Sequence, residues 1–405
     1  MYQPYTLADV HASAQRKRFT YISTFAGGGG SSMGYKLAGG HLLAMNEFQQ
    51  IAADTYKMNF PDALTICQDI RSLDVPELMK RVGIQEGELD ILDGSPPCPP
   101  FSMAGKKRAG WGQTKKVYGH VQTNIEDLTF DFIEMGAILK PKVIVCENVK
   151  GLTMNHARDY FNEMVKGFES IGYTVGHKVM SAADYGVPQK RERIFFFCIR
   201  DDIADKLGIN FMTVQSLFPE QRRPVPTLKD AILDLQEDEE NMKDAEFLRE
   251  DIKRRPKYEW MHLLPKDDIN NPWPVKQGAA YEELGQYVPD NKYFQTRRIG
   301  WSVPCNTLTE TGQTTGMCGL IHPEEDRQYT VKECLRIMSL PDDFMLTGKR
   351  VIGSVSCMHG GHLLTNDFLR KLLSDQSNFT VVESIQNISN LKKIGSNQKR
   401  IAVNA

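Results

Sequence analysis

Thr20-Tyr21-Ile22-Ser23-Thr24-Phe25, running into Ala26-Gly27-Gly28-Gly29-Gly30-Ser31-Ser32, is the stretch from which the fold can be read. Six residues rich in β-branched and aromatic side chains predict a strand. The glycines after it let the backbone turn tightly and approach a ligand, and a helix starting near Met33 would offer free N–H groups to an anionic end. Glu47 closes the next apolar run, and in nucleotide-binding sheets a carboxylate at that place accepts hydrogen bonds from ribose hydroxyls. The pattern suits NAD, FAD or S-adenosylmethionine equally, and four consecutive glycines can also be a flexible turn. Asp69, in CQDIRSL after a further short strand, is placed either to meet an adenine amino group or to cap a helix.

Outward from this loop, short strand-like runs alternate with helical stretches. HLLAMNE, LDILDGS, KVIVCEN and RIFFFCI read as strands, whereas DLTFDFIEMGAIL and HARDYFNEMVKGFESI read as helices. That rhythm predicts an α/β domain, Rossmann-like with a mainly parallel sheet, over residues 20–200, preceded by an extension over 1–19. After Arg200 the texture becomes Pro-rich and charge-rich, which predicts a second, smaller, irregular domain. Helical patterning resumes at YTVKECLRIMSL, where Thr330 is an N-cap with Glu333 three residues on, and again in HLLTNDFLRKLLSDQ. Residues 381–405 are polar enough to predict a disordered tail.

Three further segments carry chemistry. The run LDILD ends in Gly94-Ser95-Pro96-Pro97-Cys98-Pro99-Pro100-Phe101-Ser102, where four prolines fix the backbone around one cysteine. A lone cysteine is ordinarily a small buried hydrophobe, but this one sits at the carboxyl edge of a sheet, where open α/β sheets bind ligands. Downstream, Lys106, Lys107, Arg108, Lys115 and Lys116 lie among glycines and Trp111, as a solvated loop or as a lid that grips phosphates. The run KVIVC delivers Glu147-Asn148-Val149, whose carboxylate could pair with a nearby cation or handle a proton in a dry pocket. Finally, Gln189-Lys190-Arg191-Glu192-Arg193 enters a strand with Arg191 and Arg193 on one face, converging on a ligand or serving as surface ion-pair partners.

Composition bounds the rest. A chain of 405 residues with 41% hydrophobic content is long enough for a large core plus a smaller module. Its formal net charge of −2 gives no global basic signature, so a nucleic-acid surface would have to be local. Eight cysteines without a CxxC pair or zinc spacing point to reduced thiols and no metal. No apolar run spans a bilayer and the N-terminus lacks a secretory core, which predicts a soluble, cytoplasmic protein without membrane partners.

Taken together and in order, FAGGGGSSMG, SPPCPPFS, ENVKG and QKRERIFF resemble motifs of the DNA cytosine-5 methyltransferase family. RRIGWSVPCNTLTETG and HPEEDRQYTVKECLRIMSLPDDF resemble the region that follows its target-recognition domain, and the resemblance covers about residues 20–345. It implies an S-adenosylmethionine-dependent methyltransferase fold with a target-recognition domain over 201–295 and a return to the catalytic domain over 296–380. It further implies methyl transfer to carbon 5 of a flipped cytosine in double-stranded DNA, through a covalent adduct of Cys98 at carbon 6.

By the same resemblance Glu147 holds ring nitrogen 3, Arg193 contacts the base, and Arg191 the neighbouring phosphates or loop. Cofactor contacts fall on Phe25, Ala26, Gly27, Gly28, Gly29, Glu47, Phe48, Asp69, Ile70, Pro97 and Leu128. DNA contacts fall on Gln189 and the five basic residues between Lys106 and Lys116, with Lys253, Arg254, Arg255 and Lys257 as further phosphate candidates. The resemblance also implies a monomer of a bacterial or phage modification system, with a companion restriction endonuclease. The chain departs from the family over residues 352–362, IGSVSCMHGGH, where a GNxVPP-like turn is the rule; HLLTNDFLRKLL stands where the returning helix would be. Two other readings are a catalytically silent DNA-binding relative and an RNA cytosine-5 methyltransferase. Calorimetry with S-adenosylmethionine separates the first, and comparison of tRNA with duplex DNA the second.

Overall fold

The computed structural model describes residues 2–97, 115–117, 120–122, 128–154, 157–221, 224–254, 262, 265–270, 298–308 and 321–347. Its centre is a seven-stranded sheet in the order β3-β2-β1-β4-β7-β10-β8. The strands are β1 (Phe19–Thr24), β2 (Gly40–Glu47), β3 (Thr65–Cys67), β4 (Ile91–Gly94), β7 (Val143–Val149), β8 (Tyr173–Ser181) and β10 (Glu192–Arg200). Two small ladders accompany it: β5 (Lys115–Val117) with β6 (His120–Gln122), and β9 (Gln189–Lys190) with β11 (Cys305–Asn306). Neighbouring strands run parallel from β3 through to β7, while β10 runs antiparallel to both β7 and β8. The sheet is therefore mainly parallel, as the alternating pattern implied.

Chain order reverses between β1 and β4: β2 and β3 extend to one side, β7 and its neighbours to the other. Loops after strands flanking such a switch point diverge and leave a crevice at the carboxyl edge. The glycine loop leaves β1 there, and the proline-rich loop leaves β4.

Side chains alternate between two cores because successive strand residues face opposite ways. One core holds Ile22, Leu92, Ile144, Cys146, Phe196 and Cys198. Against them pack α4 (Val75–Val82), α5 (Leu128–Leu139) and α6 (Arg158–Ser170), through Leu78, Phe132 and Phe168 among others. The other core holds Tyr21, Val143, Val145, Phe195 and Phe197, under α1 (Leu7–Ala14) and α2 (Gly30–Leu37). Helix limits follow local chemistry. In α4, Asp74 caps by accepting from the Glu77 N–H at 2.9 Å, Pro76 fills the first turn, and Gly83 ends the helix at φ 72. Thr330 and Glu333 form the expected capping box on the helix Val331–Ile337.

Two segments outside the strand-helix alternation also pack on the core. The stretch before residue 19 contains α1, whose Leu7 and Val10 enter the core, and Tyr5 donates its hydroxyl to the Ser339 carbonyl at 2.7 Å. The texture change at Arg200 is not a change of core. Ile203, Leu207, Val214, Phe218, Leu228 and Ile232 share one cluster with Tyr21 and Val145. The compositional shift reflects the exposed positions of α7 (Asp201–Leu207), α8 (Leu228–Ile232) and α9 (Glu239–Lys253), whose buried positions stay apolar or paired. Acidic α9 packs beside Val331–Ile337, with Asn241 accepting from the Thr330 hydroxyl and Asp238 paired with Lys332. Among the described residues no helix is long and apolar enough to cross a membrane, and no group of three His, Cys, Asp or Glu could hold a metal.

Candidate active site

The turn after β1 is sterically committed. Phe25 takes φ 50, Gly27 φ 53 and Gly29 φ 99 before α2 begins at Gly30. A Cβ on Gly29 would lie 2.8 Å from the buried Phe60 ring, so only glycine fits. The Ala26 N–H donates to the Asn46 carbonyl at 3.1 Å, tying the loop to β2. Glu47, at the end of β2, accepts from the Gly27 N–H at 2.8 Å and from the Gln49 N–H at 2.9 Å. Burial raises its carboxyl above the usual range, and those backbone donors pull it part of the way back. Next to it Phe48 is exposed, so a carboxylate and an aromatic face stand together at the mouth of the glycine loop.

Other positions expected at this pocket are placed less directly. Asp69 caps the short 3-10 turn Ile70–Ser72 and pairs with Arg71 at 2.5 Å, which holds its carboxyl below the usual range. Of its two sequence readings the capping one is the visible geometry. Ile70 is buried, Leu128 opens α5 and is buried against its own core, and Pro97 is half-buried at the start of the proline loop. Gly28 lies buried within the loop itself.

One strand beyond β4 the acid segment takes its place. Glu147 is buried on β7, and Arg193 Nε lies 2.8 Å from Glu147 Oε1 across the antiparallel ladder. Burial pushes the Glu147 carboxyl up; Arg193 and Arg191 lower it without cancelling the shift. A buried carboxyl with a raised pKa and a fixed cation can hold a proton near neutral pH and deliver it to a ring nitrogen. Arg191 is buried in the bend before β10, and its Nη1 reaches the Leu308 carbonyl at 3.4 Å. Both arginines thus bear electrostatically on Glu147.

Sequence reasoning passed over Asn148. Its amide donates to the Pro96 carbonyl at 3.3 Å, joining the acid strand to the proline loop two residues before Cys98. An amide directly after the acid was the available signal. Cys98, Lys106, Lys107 and Arg108 lie outside the described residues, as do Arg255, Lys257 and residues 352–362. Lys115 and Lys116 belong to β5 of the small hairpin. Gln189 is buried on β9 with neither amide atom hydrogen-bonded, while Lys253 is exposed and paired with Glu250 at 3.1 Å.

Residues 19–361 match the C-5 cytosine-specific DNA methylases, most of the chain. A Type II methyltransferase of Psychrobacter sp. strain TA137, M.PspPI, is 31% identical over 82% of this chain and 73% of its own. M.Eco47II of Escherichia coli, also a Type II methyltransferase, is 30% identical over 82% of this chain and 72% of its own. Among solved structures, a prophage-encoded DNA modification methyltransferase from E. coli superposes with a TM-score of 0.55 at 19% identity, covering 88% of this chain and 99% of that one; this likeness bears on the fold. With the motifs in family order around one sheet edge, the chain belongs to the C-5 cytosine-specific DNA methylase family.

Proposed function

We propose that this member of the DNA cytosine-5 methyltransferases uses S-adenosylmethionine as methyl donor and Cys98 as nucleophile, with Glu147 and Arg193 holding a flipped cytosine. The observation that carries the reading is the buried Glu147–Arg193 pair at the carboxyl edge, tied through Asn148 to the loop that bears Cys98.

The donor set fits the cofactor. Glu47 has carboxylate lone pairs for a ribose diol, Phe48 offers an exposed ring to adenine, and Phe25, Ala26, Gly27, Gly28 and Gly29 form a compact turn for the amino-acid end. Asp69, Ile70, Pro97 and Leu128 would line the remainder, Asp69 keeping its bond to Arg71. When bound, S-adenosylmethionine supplies an electrophilic sulfonium methyl.

The chain's own residues make carbon 5 reactive. The Cys98 thiolate adds at carbon 6, and the π pair of the C5–C6 bond moves onto carbon 5. Glu147, kept protonatable by burial, gives its proton to nitrogen 3 as sulfur adds. Once carbon 5 is methylated, loss of its proton to a base restores the double bond and expels Cys98. The base must leave the stack first, at about a few kcal/mol, and the lysine and arginine side chains from 106 to 116 would hold the displaced backbone. Gln189, buried two residues before Arg191 with its amide unsatisfied, would serve the same DNA contact.

We place the enzyme in the cytoplasm of a prokaryotic or phage-infected cell, as a monomer that pairs functionally with a companion restriction endonuclease. The recognition module lies within residues 201–295, of which Ile203 to Leu235 also pack with the sheet's own core. Duplex DNA incubated with labelled S-adenosylmethionine should yield 5-methylcytosine with wild type and none with Cys98→Ala. A folded protein that binds the cofactor but methylates tRNA alone, or nothing, refutes the DNA reading.

A further inference from the structure

Asp93 is a carboxylate on an otherwise apolar strand, one residue before Gly94 and five before Cys98. It is buried, and its bonds cross three elements. Oδ2 accepts from Ser23 Oγ of β1 at 2.8 Å and from Ser31 Oγ in the first turn of α2 at 2.7 Å. Oδ1 accepts from the Tyr35 hydroxyl of α2 at 3.0 Å, and Thr24 Oγ1 donates to the Asp93 carbonyl at 3.0 Å. Ser23 lies two residues before Phe25, and Ser31 two residues after Gly29. One carboxylate therefore grips both limbs of the glycine loop.

The same carboxylate belongs to the strand that launches the proline loop. Asp93 pairs in register with Ser23 on one side and Val145 on the other, so its side chain shares a sheet face with Glu147 two residues beyond Val145. A buried carboxylate is costly, and a well-packed apolar residue would hold a sheet together as well or better. What an apolar residue could not do is fix Ser31 and Tyr35 of α2 against β4 while satisfying their hydroxyls. The neighbouring ring stack of Tyr21 and Tyr35, with centroids 4.7 Å apart, and the Tyr56 hydroxyl bond to Ser32 at 2.5 Å close the space around this junction.

We propose that Asp93 is a positioning residue for methyl transfer: a carboxylate clamp that sets the methyl-donor loop against the strand leading to Cys98. It touches neither substrate nor reacting atoms. It acts through Ser31 and Ser23 on one side and through the β4 end on the other. The proposal rests on the cofactor reading given above and names a residue that reading does not use.

The test measures S-adenosylmethionine affinity by calorimetry and steady-state methylation of duplex DNA, using the full chain as wild type, Asp93→Ala, Ser31→Ala and the double variant. A clamp predicts that Asp93→Ala weakens cofactor binding by about tenfold, as loss of hydrogen bonds to a charged group would. The kcat at saturating cofactor falls by about tenfold or more, because a displaced donor loop misaligns the reacting atoms. Ser31→Ala, which removes one hydroxyl, shifts both in the same direction by less. The double variant is no worse than Asp93→Ala, since Ser31 acts through Asp93. Asp93→Asn restores part of the affinity.

A purely structural Asp93 lowers the melting temperature and leaves KM and kcat of the folded protein within twofold of wild type; that result overturns the clamp, as do additive effects of the two single variants. Wild type that binds no S-adenosylmethionine overturns the cofactor reading and the clamp with it. Wild type that binds it without forming 5-methylcytosine overturns the reaction alone, and the affinity arm still decides the clamp.

Discussion

Replacing Asp93 with asparagine removes a charge from the middle of the sheet while nearly keeping its shape, and the consequence for stability depends on pH. Burial raises the Asp93 carboxyl from an ordinary 3.8 to about 6, with the Ser31, Ser23 and Tyr35 hydroxyls opposing the rise and Glu147 adding to it. The folded chain thus holds this proton more tightly than the unfolded chain. The sign is that of a raised group: no loss below 3.8, and a growing loss of stability as pH rises through about 6. Over that interval the ionised carboxylate comes to oppose folding by about 3 kcal/mol. Asparagine does not titrate, and the altered hydrogen bonds it makes are a constant offset. The difference in stability, wild type minus Asp93→Asn, should therefore fall by about 2.4 kcal/mol between pH 4 and pH 7 and level off above. Thermal melts of both proteins at half-unit steps of pH, at fixed ionic strength, measure it. A difference that stays flat across this window, or widens in favour of wild type as pH rises, refutes the assignment of a costly buried charge. The same variant should bind the methyl donor less well at pH 7 even where it melts later, the pattern of a site retained for function.

Glu147→Gln keeps the volume of the acid but not its proton, and kcat should fall by about 10²- to 10⁴-fold with cofactor affinity unchanged by calorimetry. Because the Glu147 carboxyl is raised, the wild-type rate should decline on the alkaline side as that proton is lost, a limb that pH–rate profiles of the variant would lack. Arg193→Lys retains the charge but loses the geometry in which Nε faces Glu147 while Nη1 donates to the Glu192 carbonyl at 2.8 Å, so kcat/KM for DNA should drop by about tenfold in steady-state assays. Gly29→Ala combines a φ of 99 with a Cβ 2.8 Å from the Phe60 ring, and should cost about 1–3 kcal/mol in denaturant melts along with cofactor affinity.

Most of the sheet was legible because its strands are nearly continuous apolar runs, as strands covered on both faces must be. Strand β8 was not, since its edge position leaves His177 exposed and Lys178 half-exposed, and these polar residues break the run. Residues 201–295 read as a separate domain from their prolines and charges, although Ile203, Val214, Phe218 and Leu228 pack with the sheet's core. Composition averages over surface and core, whereas helical spacing of the few buried positions would have shown the continuity. At the site, Glu147 and the arginines were legible because their types and strand-edge places are chemically marked. Asp93 drew no reading of its own, since nothing in LDILD says that Ser23, Ser31 and Tyr35 fold over it. For Asp69 the sequence left capping and adenine contact open, and the bond to Arg71 adds a partner that spacing did not suggest.

The distribution of polar groups across the two sheet faces ties catalysis to strand register. Ser23, Asp93, Glu147 and Arg193 climb one face toward the open edge: Ser23 opposite Asp93, Glu147 two residues beyond Asp93's partner Val145, and Arg193 opposite Val149. The other face carries Ile22, Leu92, Ile144, Cys146 and Phe196 in the matching positions. A one-residue slip of β4 would put Leu92 among the hydroxyls and Asp93 into the apolar core, leaving both faces unsatisfied. Gly94 guards against such a slip, because a Cβ there would lie 2.4 Å from the Phe132 ring and 2.7 Å from Thr24 Oγ1. The end of β4 can therefore sit in one place only, close under α5 and bonded to β1 through Thr24. That fixed end is where the chain departs toward Cys98, so the packing that specifies the register also sets the starting point of the nucleophile loop.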